Sequence, residues 1–254
     1  MTPLAQVFEL TQEMLWLHAA VFLRVAPIIG LLPGFGEASV PMRIKLVLAI
    51  AFTLIVTPVM SPDFLGHTQA PTVALILSET LIGLALGLAL RLFLMALQMA
   101  GSIAAQSTSL AQILGNAGQT PLPAIGHLLA TGGVALMMIM GLHVRVAEMI
   151  VLSYAVFPVA EFPNVAALTQ WGIGRIAQAF SFGFSLAAPF VLISVLYNLT
   201  LGIINRAMPQ LMVVLVGAPA IMALTLFLLM LVAPTMLVVW LGAFQAFVAN
   251  PFGG

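Results

Sequence analysis

The sequence predicts an all-α, multi-pass integral membrane protein, and three observations lead to this fold class. Of the 254 residues, 63% are apolar and only 6% are charged, whereas soluble domains carry about 45–50% apolar and about 25% charged residues. The seven basic and seven acidic residues give a net charge of zero, which excludes a basic nucleic-acid-binding surface. No segment alternates apolar and polar residues over the roughly ten positions of a barrel strand. A soluble enzyme and a disordered chain are excluded by the same composition.

About six helical regions follow from the apolar runs and the breakers between them. No charged residue lies between Arg91 and Arg145 or after Arg206, and each stretch is too long for one span of about 20 residues. Clusters of Gly and Pro separate the other runs. The predicted regions are residues 8–32, 41–60, 71–104, 124–155, 168–207 and 210–248 of one membrane domain, 1–254.

Prolines lie inside the later apolar runs, including Pro189, Pro219 and Pro234. They predict broken helices and few clean spans, that is, few uninterrupted apolar helices of about 20 residues. Broken helices are tolerated at membrane depth where protein or a water-filled cavity satisfies the freed backbone groups. Two interpretations stay open at this point. The helices form either a small kinked bundle or a chain that buries most of its surface against other proteins.

A neutral polar segment at residues 105–123 interrupts the first charge-free stretch. Facing lipid, its unpaired amides and hydroxyls would each cost several kcal/mol, and an ordinary water-exposed loop would be expected to carry some charge. A re-entrant or lumen-plugging loop therefore competes with a plain hydrophilic loop. The plug and pore-lining candidates are Gln106, Ser107, Thr108, Ser109, Leu110, Gln112, Ile113, Leu114 and Asn116.

Charged residues inside predicted spans are functional candidates because ionised groups are costly in a bilayer. Arg145 and Glu148 are three residues apart, so they are predicted to pair on one helix face. Arg43 and Lys45 form the one close basic pair and indicate a cytoplasmic helix end. The intramembrane candidates are Arg24, Glu79, Arg91, Arg145, Glu148, Arg175 and Arg206.

The sequence contains no recognisable apparatus for catalysis. It has no Cys, and its four His residues share no i,i+3 or i,i+4 spacing of a metal-binding helix. It also has no phosphate-binding loop and no Ser–His–acid arrangement. We therefore expect a non-enzymatic protein that needs no metal and no cofactor.

Three stretches carry family-like motifs in order along almost the whole chain. The first, residues 22–45, contains Pro27, Pro33, Gly34, Gly36, Pro41, Arg43 and Lys45. The second, residues 79–101, contains Gly83 and Gly87, and the third, residues 205–219, contains Pro209, Gln210 and Pro219. Together they resemble the FliR family of flagellar export-gate proteins, which is similar to the SctT-type subunits of virulence type III secretion.

The resemblance implies helical hairpins that stack in a hetero-oligomeric spiral, partly lifted out of the membrane plane. It implies FliP- and FliQ-like partner subunits, with FlhB- and FlhA-like export proteins nearby, in the bacterial inner membrane at the flagellar basal body. The complex would pass unfolded rod, hook and filament polypeptides. The segment near residues 106–122 resembles the loop that plugs the family's pore.

Two other functions compete with an export gate. A secondary transporter would use Glu79, Arg91 or Arg145 as a coupling or substrate site between broken helices. A purely structural scaffold would nucleate the flagellar rod. Inverted internal repeats would favour the transporter, and the sequence shows no convincing one.

Overall fold

The computed structural model describes residues 3–60, 72–109, 124–207 and 213–253, and within these ranges the chain is helical, with no strand. The helices are α1 (Pro3–Leu31), α2 (Met42–Val56), α3 (Thr72–Ser109), α4 (Ala124–Ile139), α5 (Leu142–Val156), α6 (Val165–Ala207) and α7 (Val213–Ala249). A 3-10 turn, Thr57–Val59, follows α2. The all-α prediction is confirmed.

Five of the described helices are long and apolar enough to cross a membrane. They are α1, α2 with its 3-10 turn, α3, α6 and α7. Helices α4 and α5 pass the same test together and are bent by 75° at the break between them, which raises the number of candidate spans to six. The chain is therefore a multi-pass membrane protein, as its composition predicts.

The predicted fourth region, residues 124–155, consists of two helices and not one. Helix α4 ends at Ile139, and α5 begins at Leu142 with Gly141 as its N-cap. Gly141 adopts the left-handed conformation, with φ 77° and ψ 43°, which glycine adopts without the steric cost of a Cβ. The apolar pattern continues through this point, so periodicity alone did not reveal the bend.

Replacing Gly141 with alanine is expected to destabilise the protein by about 1 kcal/mol, because an L-residue is strained in the left-handed region. A Cβ at this position would meet nothing within 4 Å, so the effect would be purely conformational. Gly172→Ala is the matched control: it also has open space but lies inside α6, where alanine is favoured by about 0.5–1 kcal/mol. Thermal unfolding in detergent should give opposite signs for the two variants.

Pro189, Pro219 and Pro234 do not end the helices that contain them, so the expectation of few clean spans is wrong. Helix α6 runs for 43 residues through Pro189, and α7 runs for 37 residues through Pro219 and Pro234. Proline removes one backbone hydrogen bond and is disfavoured in soluble helices. Membrane helices tolerate it because neighbouring helices and local adjustments re-satisfy the freed groups.

The chain divides into two compact units. The first unit comprises Met1–Leu92, Met138–Ile176 and Ala246–Gly254. Within it, α1 packs along α2, and α2 also contacts α5. Its core side chains include Val25, Ile28, Ile29, Ile82 and Leu86, which are all buried. This unit contains most of the charged candidate residues.

The second unit comprises Phe93–Met137 and Ala177–Gln245. At its centre Trp240 is fully buried, and its indole Nε1 donates a 2.8 Å hydrogen bond to the carbonyl of Phe93. The Trp240 and Phe244 rings stack at 5.9 Å. Close approaches at Gly133 and Gly183 bring α4 and α6 against the α3 segment that begins at Phe93. Small residues and one tryptophan therefore define the packing of this unit.

Candidate functional site: a buried arginine–glutamate junction

Arg24 of α1 and Glu79 of α3 form an ion pair inside the first unit. Both side chains are completely buried. The guanidinium Nε donates to Glu79 Oε2 at 2.7 Å, and Nη2 donates to Oε1 at 3.1 Å. This two-bond geometry is the strong form of arginine–carboxylate pairing. A buried pair is tolerable only when such bonds offset the loss of hydration of both charges.

The pair is completed by α5 and by the segment that follows it. Arg24 Nη1 donates to Ser153 Oγ at 3.1 Å, and Nη2 donates to the carbonyl of Phe157 at 2.9 Å. The backbone N–H of Ala160 donates to Glu79 Oε1 at 3.1 Å. The Tyr154 ring lies 3.7 Å from the Arg24 Cζ, in a cation–π arrangement. We call this set of contacts the Arg24 junction.

The sequence builds the junction with a stripe of small residues on α3. Glu79, Gly83 and Gly87 are spaced four apart, so they share one helix face. A Cβ at Gly83 would collide with the backbone carbonyl of Arg24, and a Cβ at Gly87 would lie 3.1 Å from Ile28 Cα. The absence of these side chains lets α1 and α3 approach until the carboxylate reaches the guanidinium.

The first family-like stretch, residues 22–45, contains the connection from α1 to α2. Gly34 has φ 84°, and the Gly36 N–H donates to the Leu32 carbonyl at 2.6 Å. Lys45 Nζ donates to the Gly36 carbonyl at 2.9 Å, so this lysine fastens the turn to α2. Pro33 is buried, Pro27 lies inside α1, Pro41 is the N-cap of α2, and Arg43 is exposed.

The other charged candidates lie away from the junction. Arg145 and Glu148 pair at 3.1 Å, which confirms the predicted i,i+3 contact, but both side chains are exposed. An exposed pair contributes about 0–1 kcal/mol. Arg175 donates to the carbonyls of Pro251 and Gly253 at 3.2 and 3.0 Å. Arg206 is exposed in the last turn of α6, where a cation is favoured by the helix dipole.

Only part of the predicted plug falls in the described residues. Helix α3 extends to Ser109, five residues past its predicted end, so the backbone of residues 105–109 is helical. Gln106 is exposed on this last turn. The side chains of Ser107, Thr108 and Ser109, and all of Leu110, Gln112, Ile113, Leu114 and Asn116, lie outside the described part, as do Pro209 and Gln210. Pro219 belongs to the backbone of α7.

The Arg24 junction joins residues of three helices through charged and polar contacts. Its carboxylate and its guanidinium are already engaged by each other and by α5, and both are buried. Ser153, Tyr154 and Ala160 were not singled out from the sequence. Adjacent Ser153 and Tyr154 are polar residues in the otherwise apolar second half of helix α5, and this was the sequence feature that could have indicated these two. The junction fixes α1, α3, α5 and residues 157–160 as one body.

The fold and the junction together define an all-α membrane protein in which the two fully buried charges of the described residues, Arg24 and Glu79, neutralise each other. Residues 15–247 match the model of the family described as bacterial export proteins, family 1. The chain is 32% identical over 238 residues to the flagellar biosynthetic protein FliR of Caulobacter vibrioides, covering 91% of this chain and 93% of that protein.

Two further relatives carry the same name. The chain is 27% identical over 216 residues to FliR of Escherichia coli, covering 82% of this chain and 81% of that protein. It is 27% identical over 224 residues to FliR of Bacillus subtilis, covering 86% of each. The chain belongs to this family of bacterial export proteins, and the resemblance to FliR is confirmed. It is a membrane component of flagellar export.

Proposed function

We propose that this chain forms part of the channel and gate of the flagellar type III export apparatus. In this proposal it lies in the bacterial inner membrane at the basal body and passes unfolded rod, hook and filament subunits. The observation that carries the proposal is an uncharged polar stripe on α3, formed by Gln98, Ser102 and Gln106. These residues are four apart and share one helix face.

The polar stripe is unusual for an apolar helix. Gln98 and Gln106 are exposed and Ser102 is half-buried, where its hydroxyl donates to the Gln98 carbonyl at 2.8 Å. An exposed amide that faced lipid would lose its hydrogen bonds to water at a cost of several kcal/mol. A stripe that faces a water-filled lumen has no such cost. Its lack of charge suits a passage for polypeptides of varied sequence.

The stripe leads directly into the polar segment that extends beyond α3. Gln106 already belongs to the polar segment 105–123 and lies one helical turn before Leu110, the first residue after α3. We propose that residues 110–123 plug the lumen at rest and move aside for an exported chain, with the leucines and isoleucine of the segment forming the seal. The gate acts by packing and is non-enzymatic, so the energy for export comes from other components.

The small share of each span that this chain buries by itself supports the proposal of partner subunits. Four of the five candidate spans have only 28–33% of their residues buried within the chain, and α3 has 50%. Exposed α6 side chains such as Phe180, Phe184 and Leu196 would remain without a protein neighbour. FliP- and FliQ-like subunits, with FlhB- and FlhA-like proteins nearby, would cover this surface and stack with it in a helical spiral.

Thiol labelling tests the lumen directly, because the chain has no native cysteine. Single cysteines at Gln98 and Gln106 should react with a charged thiol reagent in resting membranes, since such reagents modify thiols that water reaches. Leu226→Cys is the matched control: it is 61% exposed on the apolar helix α7 and should stay unmodified. Ala104→Cys, at a fully buried position, reports on local unfolding. Equal labelling of Gln98→Cys and Leu226→Cys would contradict the proposal.

The secondary transporter receives no support from these contacts. Glu79, its best coupling candidate, is completely buried against Arg24 and bonded to the Ala160 N–H. Coupling would require this carboxylate to leave its partners. Arg145 is exposed and paired with Glu148. The export gate is therefore the function that the described geometry supports best.

A further inference from the structure

The residues that follow α7 lie against the first three turns of α6. The buried carbonyl-bearing residue Pro251 accepts two hydrogen bonds, from Trp171 Nε1 at 3.0 Å and from Arg175 Nη2 at 3.2 Å. The same Nη2 donates to the Gly253 carbonyl at 3.0 Å. We call residues 250–253 the strap, because side chains of another helix hold this segment by its backbone.

The ring of Phe252 connects the strap to the Arg24 junction. It lies 5.1 Å from the Phe157 ring, nearly perpendicular to it, and 6.0 Å from the Trp171 ring. Aromatic pairs at such distances stabilise a contact beyond the area that they bury. The carbonyl of Phe157 is one of the acceptors of Arg24. A single residue, Phe157, therefore belongs to both sets of contacts.

The backbone of residues 157–160 is strained where it meets Glu79. Ala160 has φ 62°, a left-handed conformation that is costly for an L-residue with a Cβ. Its N–H donates to Glu79 Oε1, and the neighbouring Val159 is only 5% exposed. The junction thus holds this segment in a conformation that the segment would leave without its partners.

The strap is more exposed than the junction that it adjoins. Arg24 and Glu79 are completely buried, whereas Asn250 and Gly253 are exposed and Arg175 is half-buried. Local opening begins at segments that have few buried contacts. We therefore expect the strap to detach before the ion pair separates.

We propose that the strap locks the Arg24 junction through Phe157. While the strap is docked, the Phe252 ring holds the Phe157 carbonyl against Arg24. When the strap detaches, residues 157–160 relax and water reaches the ion pair, whose attraction weakens in the higher dielectric. This role concerns the junction alone and does not depend on the export assembly proposed above.

The reactivity of a single cysteine at Val159 measures this opening, because the chain has no native cysteine. In membranes that contain the full chain, Phe252→Ala should raise the rate at which Val159→Cys reacts with a thiol reagent at least tenfold. Phe162→Ala is the matched control: its ring lies in the same connection between α5 and α6 but is 56% exposed. Its removal should change the rate by less than twofold.

A cysteine at the fully buried Ala104 separates local opening from unfolding of the chain. Phe252→Ala should leave the reaction rate of Ala104→Cys unchanged. An unchanged rate at Val159→Cys, or an equal rise at both cysteines, would overturn the inference.

Variants at Arg175 test the hydrogen bonds that hold the strap. Arg175→Leu should raise the Val159→Cys rate at least threefold, because it removes the donor to the Pro251 and Gly253 carbonyls. Arg175→Lys should raise it less, since an ammonium group also donates to carbonyls. Arg145→Leu, which removes an exposed arginine of the same unit, is the control. A rise with Arg175→Leu no larger than with this control would contradict the inference.

A last measurement separates a lock from two independent contacts. In the variant Arg24→Leu/Glu79→Leu the strap has no ion pair to protect. Adding Phe252→Ala to it should therefore raise the Val159→Cys rate by less than threefold. Effects of independent sites combine in full, so a further tenfold rise would show that the strap does not act through the junction.

Discussion

Replacing Glu79 with leucine is expected to destabilise the protein by about 3–5 kcal/mol, because it leaves the Arg24 guanidinium buried without its counter-charge. Arg24 would keep only the Ser153 hydroxyl and the Phe157 carbonyl as acceptors, and neither carries a charge. The α1–α3 contact and residues 157–160 should loosen together. Thermal unfolding of the purified chain in detergent, and the amount of folded chain in membranes, measure the effect.

The double variant Arg24→Leu/Glu79→Leu provides the control for this prediction. Removing both charges also removes the unpaired charge, and a buried pair replaced by apolar residues is often neutral or even stabilising. The double variant should therefore be more stable than Glu79→Leu alone. If the two variants unfold at the same temperature, the pairing is not what the single substitution disrupts, and the account of the Arg24 junction is wrong.

Gly83→Val is expected to have the second largest effect, a destabilisation of about 3 kcal/mol. The Cβ would collide with the backbone carbonyl of Arg24, and a backbone cannot rotate away as a flexible side chain can. Overpacking of this kind costs about 1–3 kcal/mol and occasionally more. It would also pull Glu79, one turn earlier on the same face, away from its arginine. The unfolding temperature in detergent reports both losses.

Gly30→Ala is the matched control in the same unit. Gly30 lies in α1, and a Cβ there would meet nothing within 4 Å. Alanine at such a helical position should be neutral or stabilising by up to about 1 kcal/mol. A loss of stability at Gly30 equal to that at Gly83 would mean that any glycine replacement is harmful, and that close approach of α1 and α3 is not the cause.

Composition and charge spacing predicted the fold class and the local contacts correctly. The fraction of apolar residues, together with the absence of strand-like alternation, was enough to predict an all-α membrane protein, and the spacing of Arg145 and Glu148 was enough to predict their contact. Both properties are local: they depend on residues within one helix or on counts over the whole chain. The bend at Gly141 was missed because glycine is also common inside straight membrane helices.

The Arg24 junction could be predicted only in part. Arg24 and Glu79 were each singled out as intramembrane charges, but their pairing joins residues that are 55 positions apart. A single sequence carries no periodic signal for a contact between distant helices. Gly83 and Gly87 appeared as family-like residues, and their role as the close-approach face became clear only once α1 lay against them. The prolines inside α6 and α7 led to a wrong prediction of helix breaks, because membrane helices tolerate proline in their interiors.

Crosslinking to an exported polypeptide tests whether the polar stripe of α3 lines the export path. A cysteine at Gln106, carrying a photoreactive group, is compared with Leu226→Cys in cells whose export is halted by a substrate with a tightly folded C-terminal domain. We expect an adduct between the substrate and Gln106→Cys and none with Leu226→Cys. If the halted substrate never attaches at Gln106 or at Gln98, the polar stripe of α3 does not line the export path, and the chain is not a pore-forming component.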